Sequence, residues 1–208
     1  MRLHVIPSPF YAANGLVLVP SGAGTALVVD PSAGIQHLIR EVLELEGVSV
    51  GAVLLTHGHP DHVWDAAAVS TWGADGGTVP VYVPGPDMYR MDDPASFLPM
   101  PLPDFVGEWV KPADLREVPS DSFEVCPGVW LRMVPAPGHT EGSAVFLGDV
   151  YKRQKQPSLA CSPPPWMRRP RWALLTPTMT VSCPILLRRP RRTRPIWRGS
   201  PNRSCTTS

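Results

Sequence analysis

Three histidines and an aspartate fall within six residues in His57-Gly58-His59-Pro60-Asp61-His62, and another histidine, His139, stands in Pro137-Gly138-His139-Thr140. Neutral imidazole is a ligand for zinc and similar ions, and a carboxylate oxygen complements it. Side chains two apart in an extended segment project the same way, so His57 and His59 can grip one ion. Asp61 and His62 lie further along the turn, where they can face a second. Gly58 allows a tight bend of the backbone and Pro60 stiffens it. The plain alternative is a polar loop that only meets solvent. Three imidazoles and one acid this close together, directly after the apolar run Ala52-Val53-Leu54-Leu55, favour a metal. His139 also follows an apolar run, 129–134, and offers a distant further ligand.

These loops need rigid elements to carry them. Residues 1–6, 16–19 and 26–29 read as strands, the last stopped by Asp30-Pro31. From Ile35, apolar residues recur at Leu38, Ile39, Val42 and Leu45, and Gly47 is placed to end a helix. Residues 50–55 form a buried strand running straight into the histidine motif. Residues 63–69 are short, alanine-rich and helical, and 79–83 is another strand. The proline-rich stretch 84–103 reads as a surface loop. Residues 129–134 and 143–147 are strands flanking Pro-Gly-His-Thr. The pattern is an α/β or α+β sandwich layer with its motifs in the loops after strands, and no internal repeat. His4 and His37 have no comparable setting and read as ordinary surface or half-buried residues.

Composition adds a boundary. The 208 residues are 43% hydrophobic and 18% charged, enough for one domain with a sizeable core. No run of eighteen apolar residues exists, which excludes a membrane-spanning helix, and early prolines argue against a signal peptide, so a cytoplasmic protein is expected. The net charge of +1 hides a split: residues 1–150 hold six basic and all eighteen acidic side chains, a net of −12, whereas 151–208 hold thirteen basic and no acidic ones, a net of +13. Residues 1–148 and 149–208 are therefore expected to be separate units. Cys126 reads as a small buried thiol, and Cys161, Cys183 and Cys205 are too widely spaced for a zinc ribbon.

Thr56-His57-Gly58-His59-Pro60-Asp61-His62 resembles the signature of the metallo-β-lactamase superfamily, and Pro137-Gly138-His139-Thr140-Glu141-Gly142-Ser143 resembles its next motif. Ala12-Ala13-Asn14 and Val28-Val29-Asp30-Pro31 are similar to its opening strands. The likeness covers residues 1 to about 148 and is nearer to the glyoxalase II-like branch, the hydroxyacylglutathione hydrolases, than to true β-lactamases. It implies an αβ/βα sandwich, here with its N-terminal part, and a metal site at one edge. In that family His57, His59 and His139 would hold the first ion, and Asp61 and His62 would help hold the second. Two Zn2+ per intact site are implied, with Fe or Mn as alternatives. Metal-bound hydroxide would attack a thioester or ester carbonyl, with Asp61 as the catalytic residue that orients it. Asp30 either supports the loop by hydrogen bonding or, with Ser32, caps the following helix.

Two parts of the family pattern are not found. A second carboxylate, bridging the ions, belongs in a Gly-Asp pair well beyond Pro-Gly-His-Thr, and a further histidine belongs near the end of the fold. Gly148-Asp149 comes too soon. Six residues of strand at about 3.3 Å each would carry Asp149 roughly 20 Å from the loop, so it is not expected to ligate. No histidine follows His139.

Asp149-Val150-Tyr151-Lys152-Arg153-Gln154 resembles the translation of a transposon-end adapter used in sequencing libraries, and the rest of the tail suits a GC-rich gene read out of frame. Residues 149–208 are therefore expected to be non-native or disordered. Arg168-Arg169, Arg188-Arg189 and Arg191-Arg192, interleaved with Trp166, Trp172 and Trp197, give the competing reading of a nucleic-acid arm. So many Trp, Leu and Cys are unusual in such arms, and nucleic acid is not the expected partner. The parent protein reads as a metal-dependent hydrolase of small thioesters or esters. The alternatives are a single-iron sulfur dioxygenase and a metallo-nuclease or nucleic-acid binder. The 208-residue chain itself is expected to be insoluble and inactive, hydrolysing S-lactoylglutathione far below a full-length relative.

Overall fold

The structure is a computed structural model that describes residues 1–98, 100–150 and 185–187. The paired arginines of the tail, its tryptophans, and Cys161, Cys183 and Cys205 lie outside the described residues.

The first sheet contains β1 (Arg2–Pro7), β2 (Asn14–Val19), β3 (Thr25–Val29), β4 (Ser49–Leu54), β5 (Val81–Val83) and β6 (Leu115–Glu117), side by side in that order. β1, β2 and β3 are antiparallel neighbours, and β3 through β6 run parallel. Parallel neighbours need a crossover, which α1 (Gln36–Glu46) supplies between β3 and β4, and α2 (Pro60–Val63) with α3 (Ala66–Ser70) between β4 and β5. The second sheet contains β7 (Phe123–Cys126), β8 (Val129–Pro135) and β9 (Ala144–Val150), antiparallel in sequence, with β10 (Ile185–Leu187) alongside β9 in parallel.

Strand alternation divides the apolar residues between two cores. Val17, Val19, Val28 and Val53 face the helices, where they meet Ile39, Leu43 and Val69. Leu16, Leu18, Leu27, Val29 and Leu54 face the second sheet, where they meet Val125, Leu131 and Phe146. With both faces covered, β2 to β4 must be apolar throughout, which is why they read as unbroken runs. In the first sheet the alternation slips in β4. Ala26 pairs with Val50 and Leu27 with Ala52, leaving Gly51 as the extra residue of a bulge. A Cβ on Gly51 would come within 2.9 Å of the Cys126 Cβ and 3.0 Å of the Thr25 side chain, so glycine is required where the two sheets meet.

Four expectations change. Helix α1 buries Ile39 and Leu43, while Leu45 is 79% exposed, because the step of four from Ile39 leads to Leu43 and turns Leu45 outward. The expected helix 63–69 is two pieces, and the first begins inside the motif at Pro60, where the ring's missing N–H costs no hydrogen bond. The stretch 84–103 is exposed at Asp92, Asp93, Met100 and Pro101, as a surface loop would be, but its first part is not. It forms 3₁₀ turns at Gly85–Met91 and Pro94–Phe97, and Asp87 and Met91 are wholly buried. The run 143–147 continues to Val150, paired with β8 from Ala144 opposite Pro135 to Val150 opposite Val129. No hairpin returns the chain, so the backbone of Asp149 lies at the end of β9 remote from the Pro-Gly-His-Thr loop. Among the described residues no helix is long and apolar enough to cross a membrane.

Candidate metal centre

Both histidine loops leave the same edge of the sandwich. The first leaves β4, whose extension is held where the Leu55 N–H donates to Tyr82 O. The second joins β8 to β9, and its turn closes through the Gly138 N–H to Thr140 O and the Ala136 N–H to Ser143 O, with Gly138 at φ +146°. The Ala144 N–H donates to Thr56 O, at 3.2 Å, and ties the second loop to the first.

This brings together His57, His59 and His139, whose ligand nitrogens all lie within 4.8 Å of one another. The ring centroids stand 4.9 Å apart for His57 and His59, 4.9 Å for His57 and His139, and 4.4 Å for His59 and His139. His57 is buried, and its Nδ1 contacts Thr56 Oγ1 at 3.0 Å. Its Nε2 is buried with no hydrogen-bond partner among the described residues. Burial, followed by the neighbouring His62, pushes the His57 pKa down to about 3, and burial with His139 lowers that of His59. Both rings are therefore neutral at physiological pH, the form in which imidazole ligates. An orphaned buried nitrogen beside two further imidazoles fits a divalent ion.

Asp30 underlies the cluster. It is wholly buried at φ +47°, and its Oδ1 accepts the Thr56 N–H at 2.8 Å. Its Oδ2 accepts the Thr56 hydroxyl at 2.7 Å and contacts His62 Nδ1 at 2.9 Å. Burial pushes this carboxyl upward, but the charge and hydrogen bond of His62 prevail and hold it below the ordinary carboxylate range. In return, burial lowers His62 and Asp30 more than offsets it, leaving the imidazole raised. Of the two readings of Asp30, loop support is the one the geometry displays: α1 has Ile35 at its N-cap and no side-chain cap, and the Ser32 hydroxyl donates instead to Ser8 Oγ.

Asp61 and His62 stand beside the cluster rather than within it. The His62 ring lies 4.2 Å from that of His57, and its Nε2 is 3.5 Å from Asp61 Oδ2. The Asp61 side chain keeps 19% of its surface exposed and so remains reachable by solvent. His4 contacts Glu46, and His37 is exposed on α1. Gly58 has a different use from the one expected. A Cβ there would meet the Arg90 Cβ at 2.9 Å, so the glycine permits close approach.

The residue that sequence reading missed is Asp87. Its carboxylate accepts the Gly58 N–H at 2.7 Å, the Thr140 hydroxyl at 2.6 Å and the Gly142 N–H at 2.8 Å, touching both histidine loops. An acid four residues after the buried strand 81–83 was the available signal. The surrounding prolines and the two further acids at 92 and 93 masked it.

Comparison with known proteins places this geometry. Residues 9–152 match the description Metallo-beta-lactamase superfamily. An uncharacterized protein of Mycobacterium tuberculosis is 33% identical over 150 residues, which is 70% of this chain and 65% of the relative. A hydroxyacylglutathione hydrolase of Cupriavidus metallidurans is 29% identical over 151 residues, 71% of this chain and 48% of that protein. The chain thus spans about two thirds or less of these relatives. Among solved structures, the BLEG-1 B3 metallo-beta-lactamase matches with a TM-score of 0.56 at 26% identity, covering 70% of this chain and 66% of that one. With its sandwich, its His-X-His-X-Asp-His loop and its second histidine loop at one edge, the chain belongs to the metallo-β-lactamase superfamily.

Proposed function

We propose that the protein is a metal-dependent hydrolase of small thioesters or esters, with His57, His59 and His139 holding a first divalent ion and Asp61 and His62 contributing to a second. The observation that carries this reading is the convergence of three imidazoles from two loops, one of them with a buried, unpartnered nitrogen. Zinc is the ion proposed, with iron or manganese as competitors, because three neutral imidazoles leave an open position on a tetrahedral ion. When bound, the ion supplies Lewis acidity and a water-derived nucleophile at neutral pH. Asp61 orients the attacking water and takes its proton, since it is solvent-reachable beside the cluster. Asp30 locks His62 in one orientation through its Nδ1.

The thioester class is supported by the likeness to the hydroxyacylglutathione hydrolase of C. metallidurans. The same reading takes residues 1–148 as the metallo-β-lactamase-like unit and 149–208 as a basic segment, on the strength of the charge split between 1–150 and 151–208, with β9 running on to Val150 and β10 pairing beside it. A cytoplasmic setting accompanies it, consistent with a free buried thiol at Cys126. Turnover by this chain is expected to be slow, because no histidine follows His139 in the sequence to complete the ligands of a second ion. The test is cleavage of S-lactoylglutathione and of a simple ester by the zinc-loaded full chain. Slow hydrolysis, far below that of the C. metallidurans enzyme and abolished by a chelator and by His59→Ala, is the expected result. Metal uptake without cleavage of either compound, or cleavage indifferent to both treatments, contradicts the proposal.

A further inference from the structure

We propose that Asp87 is a positioning residue that sets the spacing between the two histidine loops and thereby the affinity of the site for its ion. The inference rests on the reading of His57, His59 and His139 as ligands.

Asp87 is wholly buried in the 3₁₀ turn after β5, and its carboxylate is used by other segments. Oδ2 accepts from the Gly58 N–H and from the Thr140 hydroxyl, and Oδ1 accepts from the Gly142 N–H. Gly58 lies between His57 and His59, and Thr140 follows His139 in the chain. One carboxylate is thus a single residue away from each of the three imidazoles that converge. Arg90 Nε stands 3.4 Å from Oδ1, and the same guanidinium reaches Glu141 in the second loop at 2.6 Å. The three donors together with Arg90 offset the cost of burying the charge.

The surrounding residues are shaped to let the backbone reach this carboxylate. A Cβ on Gly142 would fall 2.6 Å from Asp87 Cγ, and one on Gly58 would fall 3.2 Å from Asp87 Cβ. Any side chain at either position would push a histidine loop away. An ionised carboxylate, an acceptor at both oxygens, also suits three donors in a way that an amide does not. Asn would turn its NH2 toward an N–H or a hydroxyl. With the clamp in place, His59 Nδ1 and His139 Nε2 stand 2.9 Å apart across the two loops. If the clamp is lost, the loops remain tied chiefly by the bond from the Ala144 N–H to Thr56 O.

The experiment compares the full chain with Asp87→Asn and Thr140→Val. Zinc affinity is measured at 20 °C by competition with a chromophoric chelator, the cobalt(II)-substituted proteins are compared by visible absorption, and each metal-free protein is melted. Zinc binding by Asp87→Asn is expected to weaken on the order of 10–100-fold with an altered cobalt spectrum, as for other residues that orient ligands. Thr140→Val removes one of the three donors and is expected to show a smaller loss in the same direction. A role limited to holding the fold would lower the melting temperature and leave affinity and spectrum unchanged at 20 °C. Both variants binding zinc within threefold of the parent, with its spectrum, overturns this inference alone. A parent that takes up no zinc overturns the ligand reading and this inference with it.

Discussion

His57 carries a local imbalance at the centre of the candidate site. A buried polar atom without a partner costs about 1–3 kcal/mol, and Nε2 of this ring is one, beside two more imidazoles. A cation relieves that cost, whereas protonation is opposed by burial and by the neighbouring His62. Cys126 shows burial acting on a different group. Its thiol is pushed up to about 12, first by burial and then by Glu124. The thiolate is the reactive form and a raised pKa removes it at ordinary pH, so Cys126 is expected to resist alkylation at pH 8 in native buffer and to react fully in urea. Residue-resolved mass spectrometry after a short iodoacetamide pulse checks this, and rapid native labelling would contradict it. Contiguity decided which site residues were legible in the sequence. His57, His59, Asp61 and His62 announce themselves within six residues. Asp87 does not, because its partners are Gly58 and Thr140, 29 and 53 positions away, and two of its three donors are main-chain groups that any residue provides.

The strands and helices were legible where a period was long enough to register. Helix α1 shows its 3.6-residue period and its left-handed terminator Gly47, at φ +64°, and β2 to β4 show the unbroken apolar runs of strands covered on both faces. β6, at three residues, is too short for any alternation to register. The stretch 84–103 misled because proline marks surface turns as readily as buried 3₁₀ turns, and only the tertiary environment of Asp87 and Met91 separates the two. The bulge in β4 yields a further prediction. Gly51→Ala places a Cβ against Cys126 and Thr25, both held between packed sheets, and is expected to destabilise the chain by about 1–3 kcal/mol. Urea unfolding measures it, and a midpoint unchanged from the parent would show that the sheets can part locally at no cost.

Across the described residues, α1, α2 and α3 pack on the first sheet, and the second sheet turns Trp130, 44% exposed, away from the shared core. The metal cluster is assembled between elements, with two histidines after β4 and one before β9, so it depends on the register of the sheets against each other as much as on any loop. The chain spans 65% of its mycobacterial relative and 48% of the hydroxyacylglutathione hydrolase. The proposed chemistry requires that His57, His59 and His139 form a metal centre. The most direct measurement is the zinc content of the chelator-stripped full chain after zinc is restored and unbound metal removed, set beside that of His59→Ala. At least one tightly held zinc per parent chain, lost in the variant, is the predicted result. No uptake by the parent, or equal uptake by both proteins, would contradict it.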